Sequence, residues 1–184
     1  MSSSAEDLRG NATRLRAIER AGLSEGLDTE PFDRLAGLAK EITGSGASFI
    51  SIVKADRDFH LGQSGLPEPL ATTRTWLGQT FCSLTLGRSK PVVIDDTSAD
   101  PAFALVPTVA SLGVAAYLAA PIRSFEGDAL GAFCLVEFSP RRWTPVEIEL
   151  VVQLAAAAEH EIVLRHPETG VAAAQQSQRL RRVA

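Results

Sequence analysis

The sequence predicts an α+β fold, with one antiparallel central sheet of about five to six strands and helices on both faces. Three observations carry this. Short apolar runs of strand type come in pairs joined by tight turns, as in "ASFISIV–KADRD–FHLGQSG" and "VAAYLAAPI–RSFEGD–ALGAFCLVEF". The longest helical patterns lie at the two ends of the chain. Shorter helical stretches, rich in Pro, Gly and Asp, connect the strands.

Taken in order, "MSSSAED" is small and polar and reads as a frayed end. "ATRLRAIERAGL" carries a weak helical stripe of Leu15, Ile18 and Leu23, ended by Gly22 and Gly26. In "DTEPFDRLAGLAKEITG", Thr29 is placed to cap a helix and Pro31 suits its first turn. Phe32, Leu35, Ala36, Ala39 and Ile42 would share its inner face, and Gly44 ends it. Ala47–Val53 and Phe59–Gly65 form the first strand pair, and "LPEPLATTRTW" reads as a loop. "LGQTFCSLTLG" reads as a short helix on the sheet with Leu77, Phe81 and Leu84 inward. "PVVI" is a strand whose leading proline suits an edge. Val114–Ile122 and Ala129–Phe138 are the second strand pair, turned at Gly127-Asp128. Thr144, Pro145 and Glu147 then open the clearest helix, with Trp143 and Ile148 at the positions of a hydrophobic staple. Val151, Leu154, Ala155, Ala158 and Ile162 make its stripe, which Pro167 and Gly170 end. The organisation expected is a polar segment and helix over 1–25, a domain over 26–165, and a tail or short helix over 166–184.

The acidic stretch "DDTSADPAF" invites a metal or catalytic reading. Capping accounts for it better. Asp100 before Pro101 is a helix start, and Asp95 and Asp96 suit Asx-type turns after the strand. No His or Cys lies within it to complete a transition-metal set.

Composition narrows the function. The net charge is −4, which gives no general field for nucleic acid. No apolar run approaches the roughly 20 residues that span a bilayer. With two cysteines and no export segment at its start, the chain is expected in a reducing cytoplasm, without a disulfide. No nucleophile elbow or Gly-rich phosphate loop is present. Cys82 and Cys134 read first as small buried hydrophobes, and a redox or ligand-contacting thiol lining the pocket is the sharper alternative for Cys82. His60, His160 and His166 are isolated, and His60 alone is weak support for haem.

Several stretches, in this order, resemble GAF domains: "DTEPFDRLAGLAKEITG", "ASFISIVKADRDF", "TFCSLTL", "PVVIDDTSADPAF", "AAYLAAPI", "LGAFCLVEF" and "RRWTPVEIELVVQLA". The resemblance covers about Gly26 to Arg165. It implies an antiparallel sheet flanked by helices and a pocket between the sheet and the connecting helices. In the family that pocket takes small molecules, tetrapyrroles, cyclic nucleotides or nothing, and the terminal helices commonly dimerise and carry the signal. The sequence departs from the family pattern at Ala102, where arginine is frequent, and at Ala119, where glycine is frequent. It lacks the signature of cyclic-nucleotide-binding members and a Cys-His bilin attachment pair. Haem, bilin and cyclic nucleotide are therefore not expected, and the cofactor, if any, is left open.

Phe49, Ser51, Phe81, Cys82, Phe103, Tyr117 and Phe133 are the expected pocket-lining residues, with Leu118 beside them. Tyr117, the single tyrosine, sits among small residues that leave volume nearby. The expected function is a non-catalytic sensory or regulatory module in signal transduction. It would bind a small ligand or a protein partner, form a homodimer through its terminal helices, and make no nucleic-acid or membrane contact. The alternatives are a thiol-dependent enzyme like free methionine sulfoxide reductase, or a structural dimerisation module.

Overall fold

The computed structural model describes residues 5–23 and 27–165. The readings for the first four residues, for Gly26 and for everything from His166 onward lie outside the described residues. The chain opens with helices α1 (Ala5–Arg9), α2 (Ala12–Arg20) and α3 (Glu30–Thr43). Strands β1 (Ala47–Val53) and β2 (Arg57–Ser64) follow, then α4 (Leu70–Thr73) and β3 (Thr75–Leu77). A 3₁₀ turn over Phe81–Thr85 leads to β4 (Val92–Ile94), and a second over Thr97–Ala99 leads to α5 (Pro101–Ala104) and α6 (Pro107–Leu112). Strands β5 (Ala116–Arg123) and β6 (Ala129–Glu137) and helix α7 (Pro145–Arg165) complete the fold.

The six strands form one sheet in the order β3-β2-β1-β6-β5-β4, and every pairing is antiparallel. β1 and β6 lie at its centre. Both of their faces are covered, so β1 is buried along its whole length and β6 everywhere but at its ends. This is why they read as near-continuous apolar runs; a sheet with one solvated face would alternate. β4 is an edge strand, as its leading Pro91 implies. β3 was not foreseen: three residues are too few to show a period, and it exists by pairing with Arg57–Phe59. Leu77, expected inward, ends that edge strand and is 72% exposed.

One face of the sheet carries the long helices. Ile50, Ile52, Phe59, Leu61, Leu118, Ile122, Phe133 and Leu135 pack against Ile18, Phe32, Ala39, Val151, Leu154 and Ile162. In α3 the inner face is Phe32, Ala36, Ala39 and Thr43; Ile42, expected there, is 59% exposed. α2 precedes the expected domain start yet belongs to the same layer through Ala17 and Ile18. The opposite face carries the short connecting elements, with Phe49, Tyr117, Ala119, Cys134 and Val136 against Leu66, Leu70, Phe81, Cys82 and Val114.

In the acidic stretch Asp96 and Asp100 are caps, whereas Asp95, expected in a local Asx-type turn, bonds instead to a residue 48 positions away. Asp96 accepts from the Ser98 N–H at 2.8 Å, Asp100 from the Ala102 N–H at 2.9 Å, and Asp95 from the Trp143 N–H at 3.1 Å. Asp95 thereby ties the end of β4 to the start of α7. At that start the capping box is reciprocal. Glu147 accepts from the Thr144 N–H at 2.8 Å, and Thr144 Oγ1 accepts from the Glu147 N–H at 3.3 Å. Glu147 also pairs with Arg141, whose guanidinium donates to Glu137 at 2.6 Å and lies over the Trp143 ring. Glu147→Ala removes a cap and one arm of this cluster. It should cost about 1–2 kcal/mol, read from the urea midpoint. A midpoint equal to that of the unmodified chain would show that the box is decorative.

Candidate functional site

The pocket lies between the sheet and the short elements that connect its strands. β1 and β2 supply Phe49 and His60; β5 and β6 supply Tyr117 and Val136. Leu66, Leu70 and Trp76 close one side, Thr80, Phe81 and Cys82 a second, and Thr108, Leu112 and Val114 a third. The local folding follows from the sequence. Thr80 caps the 3₁₀ turn by accepting from the Cys82 N–H at 3.1 Å, which turns Phe81 and Cys82 towards the sheet. Asp100 and Pro101 start α5 and set Phe103 edge-on to Phe81, with centroids 5.9 Å apart. Phe81 in turn stacks on Tyr117 at 5.0 Å.

Four of the seven expected residues, Phe49, Phe81, Cys82 and Tyr117, line this cavity. Ser51 is fully buried, and its hydroxyl, which has no nitrogen or oxygen partner among the described residues, lies beside the Cys82 thiol and helps to lower its pKa. Phe103 supports Phe81 from behind. Phe133 does not belong to the site. It lies in the other core, under the long helices, as does Leu118. The cause is the two-residue period of a strand: Cys134 and Phe133 are neighbours in sequence and point to opposite faces. His60, Trp76 and Thr108 were not singled out for the pocket, and the structure brings them into its wall.

The pocket is partly open to solvent, and its interior volume is about 40 Å³. By the measure in which one water needs roughly 10–15 Å³, this holds a few atoms only. The lining is aromatic and aliphatic, but His60 Nδ1, Trp76 Nε1 and Thr108 Oγ1 are buried without hydrogen-bond partners among the described residues. Buried polar atoms are normally paired, and each orphan costs about 1–3 kcal/mol.

Burial, seconded by the charge of Arg74, lowers the His60 pKa to about 4, so the imidazole is neutral at pH 7. An unfolded histidine titrates near 6.5, so the unfolded chain takes up this proton first as pH falls. The stability held by neutral His60 is whole above about pH 6.5 and is lost as pH falls towards 4. Between pH 7.5 and 4.5, the unmodified chain should lose about 2–3 kcal/mol more than His60→Phe, measured by urea unfolding. Parallel losses in the two proteins would refute a buried neutral ring.

Behind the pocket lies a buried charged cluster. Arg9 of α1 donates to Asp58 at 2.7 Å, to Ser83 Oγ at 3.0 Å and to the Ala55 carbonyl at 3.2 Å. The second carboxylate oxygen of Asp58 accepts from the Thr80 hydroxyl. Burial raises the Asp58 pKa, while Arg9 and the Thr80 hydrogen bond oppose that. Arg14 donates to the carbonyls of Val53, Arg9 and Leu8, at 2.5, 2.6 and 3.0 Å. Burial, then the charge of Arg9, lowers its pKa to about 10. A continuous chain of hydrogen bonds therefore runs from α1 through Asp58 and Thr80 to the turn that carries Cys82.

The GAF domain model matches residues 29–162. The chain belongs to the GAF domain family. Solved structures have a similar fold. The GAF domain of an Acinetobacter phosphoenolpyruvate-protein phosphotransferase is similar at 16% identity and a TM-score of 0.61, over 90% of this chain and 96% of that one. Free methionine-R-sulfoxide reductase from Neisseria meningitidis, solved with its substrate, is similar at 16% identity and a TM-score of 0.59, over 88% and 92%. The PixJ GAF domain of Thermosynechococcus elongatus, in its blue-light-absorbing form, is similar at 16% identity and a TM-score of 0.57, over 91% and 98%. At these low identities it is the TM-scores that show a shared fold, and the fold alone. No curated protein matches the chain. Among the described residues no helix is long and apolar enough to cross a membrane. In this GAF domain α1 and α2 precede the matched region, yet both pack on the domain body.

Proposed function

We propose that this GAF domain is a non-catalytic sensory module of the cytoplasm that binds a small, mainly apolar molecule and works in signal transduction as a homodimer. One observation carries the reading: three residues in the wall of an aromatic-lined cavity, His60, Trp76 and Thr108, each have a buried polar atom, Nδ1, Nε1 and Oγ1, without a hydrogen-bond partner among the described residues. Ligand sites have this composition, an apolar wall with a few placed polar groups. The ligand would supply an acceptor to which the Trp76 Nε1–H donates. At about 40 Å³ the cavity is far below the roughly 300 Å³ of a drug-sized site, so a larger guest requires α4 and α6 to move outwards. A ligand shifts this equilibrium only by binding the opened form better. The hydrogen-bond chain from the Cys82 turn to Arg9 gives that movement a route to α1.

Native mass spectrometry of the purified full chain tests ligand and subunit number together. A dimer with retained extra mass, released by Trp76→Phe, is the expected result. A ligand-free species whose Trp76 fluorescence does not respond to a library of small aromatic and heterocyclic compounds would overturn the sensor reading. The runner-up, reduction of free methionine sulfoxide, is tested by assay of the unmodified chain and Cys82→Ser. Turnover that disappears with Cys82 would displace the non-catalytic reading.

A further inference from the structure

The two cysteines of the chain lie 52 positions apart in sequence and meet behind the pocket. Cys82 Sγ, on the 3₁₀ turn, is 3.7 Å from Cys134 Sγ on β6. Both are buried and both are free thiols. Tyr117 completes the row, its hydroxyl 3.2 Å from Cys134 Sγ. The two sulfurs differ in access. Cys82 lines the cavity, and Cys134 lies behind it, in contact with Cys82. They also differ in acidity. The hydrogen bond with Cys134 lowers the Cys82 pKa, whereas burial, reinforced by Cys82, raises that of Cys134.

The geometry points to a redox-active dithiol, in which Cys82 reacts with a small hydroperoxide in the cavity and Cys134 closes a disulfide with it. The roughly 40 Å³ of space suits a two-oxygen oxidant, and its wall offers His60 Nδ1, Trp76 Nε1 and Thr108 Oγ1 as otherwise unpaired hydrogen-bonding atoms. In the first step the Cys82 thiolate attacks one peroxide oxygen. The S–O bond forms and the O–O bond breaks, and the departing hydroxide takes a proton and leaves as water. Cys82 is then a sulfenic acid. In the second step the Cys134 sulfur attacks the Cys82 sulfur. The S–S bond forms and the S–O bond breaks, and hydroxide leaves as water with the Cys134 proton. The sum is two thiols and one hydrogen peroxide giving one disulfide and two waters. A disulfide needs its sulfurs about 2.05 Å apart, so bond closure draws the two sulfurs together from 3.7 Å, by side-chain rotation or by movement of the turn towards β6. That turn also carries Thr80, which is bonded to Asp58, so the oxidised state reaches α1 through the same hydrogen bonds.

The test exposes the reduced full chain to hydrogen peroxide and reads its intact mass, its thiol count in guanidinium and its non-reduced peptide map. A monomer lighter by two hydrogens is expected, with both thiols lost and one cross-link joining Cys82 to Cys134. Cys134→Ser should stop at a dimedone-reactive sulfenic acid on Cys82, and Cys82→Ser should keep its remaining thiol at the same peroxide dose. Thiols that persist in the folded chain but oxidise in the guanidinium-unfolded chain would overturn the inference. So would first oxidation at Cys134, or a disulfide formed only between chains. Should a serine variant not fold, judged by far-ultraviolet circular dichroism, the unmodified chain alone still decides through its mass and cross-link.

Discussion

Gly131→Ala should abolish folding, or cost more than about 4 kcal/mol. Gly131 lies on β6, opposite Ile52 of β1 and Ile122 of β5, at the centre of the sheet. A Cβ there would stand 1.8 Å from the Ser51 carbonyl oxygen and 2.8 Å from its carbon. Both contacts are backbone, so neither can rotate away, and relief requires β1 and β6 to separate. The same substitution at Gly37 should do the opposite. Gly37 is inside α3, where a Cβ meets nothing within 4 Å, and the change should stabilise by about 0.5–1 kcal/mol. Urea unfolding of both variants checks the pair. A Gly131→Ala protein with an unchanged midpoint would mean that the β1–β6 pairing is looser than described.

Asp58→Ala should cost about 3–5 kcal/mol, the usual penalty for stranding a buried charge. The carboxylate is 0% exposed and is the counter-charge for Arg9, with Arg14 also buried nearby. Its removal leaves two guanidinium groups in a low-dielectric site and frees the Thr80 hydroxyl. The diagnostic measurement is a double-mutant cycle. Arg9→Met together with Asp58→Ala should lose less than the sum of the single changes, because the cost lies in the unpaired partner. Strict additivity would show that the two side chains do not depend on each other. Because Thr80 also caps the Cys82 turn, Asp58→Ala should disturb the pocket as well as stability.

Legibility differed between fold and site for physical reasons. The caps at Asp96, Asp100 and Thr144 were readable because a cap is a local arrangement of a side chain and the next few N–H groups. Thr29, read in the same way, makes no capping bond: its backbone is already helical, and its hydroxyl donates to Asp33 at 3.1 Å. The strand pairs were readable because their turns are short. β3 was not, since three residues carry no period and only the partner strand makes them a strand. In the pocket, Phe81 and Tyr117 could be found as aromatics flanking predicted strands. Phe133 could not be separated from Cys134 without the register, because one residue of shift exchanges the two faces. His60, Trp76 and Thr108 come from three elements spread over nearly fifty residues, and nothing local connects them.

By itself the sequence determined the order of the elements other than α1, α4 and β3, the antiparallel class and the capping roles of Asp96 and Asp100. Each of these depends on period or on neighbours within a turn. Only the tertiary structure decided which face of β6 meets the pocket, that Cys82 touches Cys134, and that Arg9 reaches Asp58. Those contacts join residues 52 and 49 positions apart. They exist because a helix and a turn pack on strands of a sheet whose order is set by backbone hydrogen bonds, and that pattern is the same for nearly every side chain and so leaves little trace in the residues it brings together.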